Sequence, residues 1–299
     1  LRQSTTLWTK ICCWMMRWLA KVYVNALKII HYMHDKYAYE AFEMGLHDGD
    51  VERIRATGIA GLSIVADSLA AIKALVYDEK KLSAQELLHA LQTNFEDAPL
   101  VRTMLLSKAP KYGNDVQWVD ELGAKWANYF ADGLRKYRNG RGGIYQMGLY
   151  TVSAHVPMGQ NVAASADGRY ARDPLADGGV SAMYGRDVNG PTALLHSVSR
   201  LPFEKASNGT LLNMKFLPQF FKTQTGIVKF TQLLRAVCRL GISHIQFNVL
   251  NEADLKNAQA HPENYRGLTV RVAGYTAYFT ELARDLQDEI IARTTYEAI

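Results

Sequence analysis

The stretch HIQFNVLNEADLKNAQAHPENYRGLTVRVAGY, residues 244–275, decides the fold of this chain. Its first part, 244–250, alternates in the manner of a half-buried strand, and alternation returns at 268–272. Between them a helix signal begins at Asn251, a favourable N-capping residue, and stops before Pro262. The apolar residues on one face of the first strand are Ile245, Phe247 and Val249. The order strand, helix, strand predicts an α/β protein with a barrel-like or wound sheet.

The residues after the second strand predict a glycine-containing loop followed by a helix. Gly274 stands where the strand turns into the loop. An amphipathic helix is predicted from Phe279. Its further apolar positions are Leu282, Leu286 and Ile290. Glu289 and Arg293 have the i,i+4 spacing of a stabilising ion pair on that helix.

Helical periodicity dominates the part of the chain before this unit. Two closely packed helices are predicted between residues 23 and 77, and a long helix follows the capping residues 113–115 and ends at Asn139-Gly140. The apolar stripe of the long helix comprises Val119, Leu122, Trp126, Phe130, Leu134 and Tyr137. Asp-Gly and Asn-Gly turns between 144 and 213 predict structured loops, which often carry or cover a site.

Composition excludes several classes of protein. A chain of 299 residues, 48% hydrophobic and 21% charged, is neither disordered nor collagen-like. Its 34 basic and 29 acidic residues are scattered, so we expect no nucleic-acid partner. Three cysteines at these spacings form neither a disulfide framework nor a zinc site, which predicts a reducing, cytoplasmic location. The apolar run at 11–16 is too short to span a bilayer, and no membrane association is expected.

Residues 1–22 are predicted to be an atypical lead-in to a truncated chain. The sequence begins at Leu1, and three of its five tryptophans lie in this segment: Trp8, Trp14 and Trp18. A misread or frame-shifted segment accounts for this composition, and an interfacial amphipathic helix is the alternative interpretation.

Most short catalytic motifs are absent from the sequence, including phosphate-binding loops, the dinucleotide fingerprint and the nucleophile elbow. His31 and His34, followed by Asp35, have a helical spacing that could seat a metal. Because no second group of ligands is near them in the sequence, a packed or surface position is favoured, and we expect no metal site. His155 and His244 occur in strand-like segments and are interpreted as core or loop histidines.

The segment Arg271-Val272-Ala273-Gly274-Tyr275 resembles the radical-bearing motif of glycyl radical enzymes. Further stretches that resemble the same family are 32–37, 58–63, 66–69, 166–169, 207–214, 244–249, 261–265 and 287–294. Together they cover about residues 25–299, which are similar to the C-terminal part of the pyruvate formate-lyase superfamily.

Glycine is the residue type that this radical chemistry needs. Loss of a hydrogen atom from Cα leaves a planar radical, delocalised onto the flanking amide nitrogen and carbonyl, and a Cβ would disturb that planarity. The resemblance therefore implies that Gly274 is the radical site. It also implies a radical loop formed by the flanking residues Arg271, Val272, Ala273 and Tyr275.

The resemblance further implies an architecture and a set of partners. Residues 23–299 are expected to form the C-terminal half of a ten-stranded β/α barrel with a central glycyl radical loop, including a glycine radical domain at about 175–299. No bound cofactor is expected. An activating enzyme that uses S-adenosylmethionine and an iron–sulfur cluster installs the radical. A small-molecule substrate and, at full length, a homodimer are also implied.

A cysteine on a loop at the barrel centre is the second essential group of the family, and no cysteine here matches it. In the family that loop lies farther from the glycine than the 273 residues that precede Gly274. Cys12 and Cys13 lie in the lead-in, lack the family's neighbouring residues and are too close to residues 32–34. Cys238 is predicted to be a small buried residue on a helix. We therefore expect this chain to store the radical without catalysing turnover.

Three interpretations of the function stay open. Ala273 stands where pyruvate formate-lyase has serine, and together with 207–214 and 220–222 it is more similar to the glycerol dehydratase and choline lyase branch. In that branch a thiyl radical removes a hydrogen next to a hydroxyl, and water or an amine leaves. Formate acetyltransferase is the alternative within the superfamily. A non-catalytic remnant or spare radical carrier is the alternative of another class.

Overall fold

A computed structural model describes residues 21, 22, 24, 25, 28, 56–58, 61–138 and 144–298. The chain forms two compact units. The first unit contains the described residues before 59 together with 125–138, 144–148 and 202–209. The second contains 61–124, 149–201 and 210–298, and the motif at 271–275 belongs to it.

The α-helices of the described chain are α1 (Leu62–Ala71), α2 (Ala84–Gln92), α3 (Pro99–Ser107), α4 (Gln117–Leu134), α5 (His155–Gly159), α6 (Gly190–Ser199), α7 (Gln224–Arg239), α8 (Glu252–Ala260) and α9 (Arg284–Ala292). A π-helix, Ile72–Asp78, continues α1. Of the two helices predicted between 23 and 77, α1 with this continuation supplies one, and much of the remaining range lies outside the described residues. Within the described chain no helix combines the length and the apolar character needed to cross a bilayer.

The long helix predicted after residue 115 is confirmed as α4. The residues of its predicted stripe that are buried are Val119, Trp126, Phe130 and Leu134. The helix ends at Leu134, and the predicted terminator Asn139-Gly140 lies outside the described residues.

The strands are β1 (Ala56–Gly58), β2 (Gln146–Gly148), β3 (Leu212–Phe216), β4 (Ile245–Val249), β5 (Thr269–Arg271), β6 (Thr276–Tyr278) and β7 (Thr295–Tyr296). In the first unit β1 and β2 pair in parallel. In the second unit β3 lies between β4 and β7, parallel to both, and α7 makes the crossover from β3 to β4. The pair β5–β6 is an antiparallel hairpin. The predicted α/β class with parallel strands is confirmed.

Strand β4 confirms the predicted alternation and reverses the usual arrangement of its faces. The side chains of Gln246 and Asn248 are both buried, whereas Ile245 and Phe247 are half-buried and Val249 is exposed. The apolar face still packs in part, because the Phe247 ring contacts two other phenylalanine rings of the second unit. The polar face of β4 is thus the one that points into the protein.

The hairpin β5–β6 is held by a hydrophobic core that it shares with α5, α8 and α9. The buried members of this core are Val156, Leu255, Ala258, Val270, Val272, Phe279, Leu286, Ile290 and Ile291. Helix α8 begins as predicted, because the Asn251 side chain accepts a hydrogen bond of 2.7 Å from the backbone N–H of Asp254.

The C-terminal helix starts later than predicted. Phe279–Glu281 is a 3-10 turn, Leu282 is extended, and α9 begins at Arg284. The buried Gln287 side chain explains the break, because its Nε2 donates to the carbonyl oxygens of Phe279 (2.9 Å) and Leu282 (3.0 Å). These bonds satisfy carbonyls that a continuous helix would have satisfied with its own backbone.

The prediction that Cys238 is buried is wrong. Cys238 lies on α7 as expected, but it is exposed. Leu233 and Val237 form the buried stripe of that helix, and the next residue is turned about 100° away from the stripe by the helical repeat.

Candidate radical site

Gly274 lies at the tip of the β5–β6 hairpin. Arg271 and Thr276 are the last paired residues, and the N–H of Val272 donates to the carbonyl of Tyr275 at 3.0 Å. Gly274 has φ +87°, in the left-handed region that favours glycine. A Cβ built on Gly274 would meet only Leu211 Cδ1, at 3.4 Å. The main reason for glycine at position 274 is therefore its left-handed backbone conformation, and the space around its α-carbon is a weaker reason.

The hairpin tip is buried on one side of the glycine and open at the glycine itself. Val272 and Ala273 are buried, Tyr275 is half-buried, and Gly274 is exposed within this chain. The predicted loop residues are thus brought together at one hairpin end, with the α-carbon of Gly274 accessible from outside.

A row of three buried polar side chains leads to the backbone of Gly274. The N–H of Gly274 donates to Gln246 Oε1 at 3.0 Å. Gln246 Nε2 donates in turn to Asn213 Oδ1. Asn213 Nδ2 donates to Asp177 Oδ2 at 2.5 Å and to the carbonyl of Val272 at 3.2 Å. We call Gln246, Asn213 and Asp177 the amide relay.

Arg293 anchors the hairpin from the opposite direction. Its Nη1 donates to the carbonyl oxygens of Val272 (2.9 Å) and Arg271 (3.3 Å). The predicted partner Glu289 accepts from Nε at 3.0 Å and from Nη2 at 2.9 Å. This i,i+4 pair is confirmed, and both side chains are buried. Asp177 adds a second carboxylate, with Oδ2 3.6 Å from Arg293 Nε.

Burial and ion pairing shift the pKa values of Glu289 and Asp177 in opposite directions. Burial alone would raise the pKa of Glu289, but Arg293 and then His155 outweigh it and lower that pKa to about 2. For Asp177, burial is the stronger influence, and its pKa is raised although Arg293 opposes the shift. The ion pair therefore belongs mainly to Glu289 and Arg293.

His155 is a core histidine, as interpreted, but the strand-like context predicted for it is wrong. It begins the short helix α5, is completely buried, and places Nε2 3.1 Å from Glu289 Oε2. His244 immediately precedes β4 and belongs to a loop. His31 and His34 lie outside the described residues. Within the described ranges, no group of three or more His, Cys, Asp or Glu side chains could hold a metal ion.

The loop at 271–275 is predictable from the sequence, whereas the amide relay is not. Gln246 and Asn248 occupy the polar positions of an alternating strand, and such positions are normally solvent-exposed. Asp177 precedes Gly178 in a turn-like pair and carries no motif of its own. The alternation of amides along β4 was the available signal, but it does not say which face is inside.

Two family models match the chain. The pyruvate formate lyase-like model matches residues 9–159, and the glycine radical model matches 176–280. The second match contains the hairpin and Gly274. The first begins within the predicted lead-in at 1–22.

Solved structures of dehydratases resemble the chain closely. A Roseburia inulinivorans protein, described for 1,2-propanediol dehydration, is 45% identical with a TM-score of 0.78. The B12-independent glycerol dehydratase from Clostridium butyricum is 42% identical, and the hydroxyproline dehydratase from Clostridioides difficile is 37% identical, each with a TM-score of 0.78. All three matches cover 81% of this chain. They cover 31% of the first relative and 30% of each of the other two, so the chain spans about a third of their length.

The hairpin glycine and these matches define a protein with a glycine radical domain and part of the barrel fold of glycyl radical enzymes. The chain belongs to the pyruvate formate lyase-like family, and the solved structures that it resembles include dehydratases and another glycyl radical enzyme.

Proposed function

We propose that Gly274 stores a glycyl radical. The observation that carries this proposal is the conformation of Gly274: a glycine with φ +87° at an accessible hairpin tip, with its N–H held by Gln246. Activation breaks one Cα–H bond of Gly274 homolytically; the hydrogen atom leaves with the activating enzyme, and the unpaired electron stays on the chain. The planar radical is then shared with the amides on both sides, which the absence of Cβ permits.

The partner of this step is an activating enzyme that uses S-adenosylmethionine and an iron–sulfur cluster. The match of residues 176–280 to the glycine radical model supports such a partner, because the hydrogen on Gly274 has to be removed by another protein. No metal or cofactor is required of this chain itself. The cytoplasmic location and the homodimeric state of the full-length protein stay predictions.

The full-length protein is proposed to be a dehydratase or carbon–nitrogen lyase acting on a small hydroxylated substrate. Identities of 45%, 42% and 37% to proteins named for dehydration support this over formate acetyltransferase. Ala273 in the radical loop supports the same branch. The residues that would select the substrate belong to the part of the barrel that these relatives have and this chain does not span.

The 299-residue chain by itself is proposed to store the radical without turnover. In the family, a glycyl radical takes a hydrogen atom from a cysteine thiol, and the thiyl radical then takes one from the substrate. The loop that carries this cysteine has no match in the sequence of this chain. Cys238 is exposed on α7 and makes no contact with the amide relay or Arg293 among the described hydrogen bonds. The competing interpretation is a non-catalytic remnant or radical carrier. The reading frame upstream of Leu1 distinguishes it from a piece of an enzyme, because only the gene of an enzyme would encode a cysteine loop there.

Anaerobic activation tests the radical assignment. The chain is incubated with the activating enzyme of a glycerol dehydratase, S-adenosylmethionine and a reductant, beside full-length dehydratase as a positive control for activation. We expect a doublet electron paramagnetic resonance signal. Exposure to oxygen should then cut the chain at residue 274, which mass spectrometry of the two fragments locates.

The matched variants are Gly274→Ala and Gly241→Ala. Gly241 also has a positive φ, +69°, and open space around its α-carbon, so its alanine variant carries similar backbone strain without touching the loop. The doublet should vanish in Gly274→Ala and persist in Gly241→Ala. A doublet that survives in Gly274→Ala, or no signal from the chain while the control activates, would overturn the assignment.

A further inference from the structure

We propose that Gln246 is the positioning residue of the Gly274 radical: its side-chain amide, oriented by the other members of the amide relay, fixes the peptide plane and the spin distribution at Gly274. This inference rests on the proposed function, because it presupposes a radical at that glycine. It assigns a role to a strand residue outside the radical loop.

The direction of the relay is determined by groups that can only accept. Asn213 Nδ2 faces the carbonyl oxygen of Val272, which has no proton to give. Asn213 must therefore turn its Oδ1 toward Gln246, and Gln246 must meet it with Nε2. Gln246 Oε1 is then left to face Gly274. Flipping either amide would set donor against donor, so the acceptor at the Gly274 N–H is specified by the whole row.

Burial makes this orientation stable. Gln246 is 5% exposed, Asn213 is 9% exposed and Asp177 is 4% exposed. In such surroundings water does not compete for the amides, and neighbouring hydrogen bonds polarise one another in the same direction. Asn213 is held further through its backbone N–H, which donates to Ser181 Oγ at 3.1 Å. Asp177 at one end of the amide relay thus makes Gln246 Oε1 a stronger hydrogen-bond acceptor for Gly274 at the other end.

An acceptor on the N–H acts directly on the radical. The unpaired electron at Cα is stabilised when the amide nitrogen donates electron density, and that donation requires the peptide plane to align with the planar radical. A hydrogen bond from N–H to Oε1 raises the electron density on the nitrogen and restricts rotation of the peptide. Asn213 holds the preceding carbonyl at Val272 as well, so the same row fixes the chain on both sides of Ala273.

Two variants separate this role from general packing. Gln246→Met removes both amide contacts at similar volume. Gln287→Met is the matched control: Gln287 is equally buried, at 7% exposed, and its amide bonds two carbonyls on the far side of the hairpin. Gln246→Glu is the second variant if Gln246→Met does not fold: it keeps an acceptor for the Gly274 N–H, and in its protonated form it also keeps a donor for Asn213 Oδ1.

The first readout needs no radical. The chain is labelled with ¹⁵N-glycine, the Gly274 amide signal is identified by its loss in Gly274→Ala, and its hydrogen exchange is followed. Loss of one hydrogen bond predicts exchange about three- to tenfold faster in Gln246→Met and an unchanged rate in Gln287→Met. The second readout is the doublet of the activated chain, whose splitting should change in Gln246→Met, return toward the wild-type value in Gln246→Glu and stay constant in Gln287→Met.

The results of these experiments distinguish failure of the positioning role of Gln246 from failure of the proposed radical at Gly274. Absence of the doublet in the wild-type chain, with the activation control positive, contradicts the proposed function whatever the exchange data give. A wild-type doublet whose splitting is the same in Gln246→Met, or shifts equally in Gln287→Met, overturns the positioning role and leaves the radical assignment intact. An exchange rate at Gly274 that does not respond to Gln246→Met overturns it as well.

Discussion

The side-chain amide of Asn248 pairs with the backbone of Arg271 as a neighbouring strand would. Asn248 Nδ2 donates to the Arg271 carbonyl at 2.8 Å, and Asn248 Oδ1 accepts from the Arg271 N–H at 2.9 Å. Strands β4 and β5 form no backbone ladder with each other, so this amide joins the parallel sheet to the hairpin that carries Gly274. One strand therefore holds the hairpin twice, through Asn248 at the last paired residue of β5 and through Gln246 at the tip.

Asn248→Asp should loosen the attachment of β5 to the parallel sheet at Arg271. The substitution replaces the donor to the Arg271 carbonyl with a carboxylate oxygen, so a buried acceptor faces an acceptor, at a cost of about 1–3 kcal/mol in the free energy of unfolding. Urea unfolding of the wild-type chain and the variant measures this loss of unfolding free energy. Asn161→Asp, on an exposed side chain that bonds one carbonyl, should change stability by about 0.5 kcal/mol or less. Equal losses in both variants would contradict the role of Asn248.

Glu289→Gln should reduce the acid sensitivity of the fold. Despite burial, Arg293 and His155 hold the pKa of Glu289 at about 2, below its ordinary value of 4.5. Because the folded pKa is the lower one, this stabilisation is present above pH 4.5 and is lost as the pH falls toward 2. Between pH 5 and 3 the wild-type chain should lose about 2 kcal/mol more unfolding free energy than the variant. Parallel pH profiles for the two proteins would refute this assignment.

Arg293→Met should be among the most destabilising single changes in the second unit. It leaves the Glu289 carboxylate buried without the cation that pairs with it, which costs about 3–5 kcal/mol. The carbonyls of Arg271 and Val272 each lose one donor and keep the other, from Asn248 and Asn213. Arg284→Met is the control, since Arg284 is 68% exposed and its pair with Asp288 is worth about 0.5 kcal/mol or less. In a double-mutant cycle, Glu289→Gln should cost less in the Arg293→Met background than in the wild type. Strict additivity would mean that the pair is not coupled.

The activated chain should turn over none of the family's substrates. Glycerol, propane-1,2-diol, choline, and pyruvate with coenzyme A are supplied after the doublet has been recorded, and aldehyde, trimethylamine and formate are assayed. We expect no product above the unactivated control, because a stored radical without a relaying thiol cannot reach substrate. Product that disappears in Cys13→Ser or Cys238→Ser would instead place a complete site in this chain.

The local elements of the C-terminal part follow from sequence because the information for them is local. Asn251 caps α8, alternation predicts β4, and Gly274 marks a hairpin tip that its positive φ explains. The resemblance of 271–275 to a glycyl radical motif is visible in the sequence as well, and the glycine radical model matches this part of the chain.

Two predictions were wrong for reasons that lie close by in the chain. Gln287 bonds the carbonyls of Phe279 and Leu282, which stops the last helix from starting at Phe279. The helical repeat turns Cys238 away from the buried stripe of Leu233 and Val237. His155 begins a helix in place of the expected strand.

The sequence alone determined the class of fold, the strand, helix, strand order and the glycine suited to a radical, because backbone conformation and missing Cβ are properties of single residues and short patterns. Only the tertiary structure decided that the amide face of β4 is buried. Alternation specifies two faces but not which one meets the core, and here the buried acceptors and donors of the hairpin satisfy Gln246 and Asn248. The amide relay exists because three segments distant in sequence, at Asp177, Asn213 and Gln246, meet in one place and satisfy one another's hydrogen bonds.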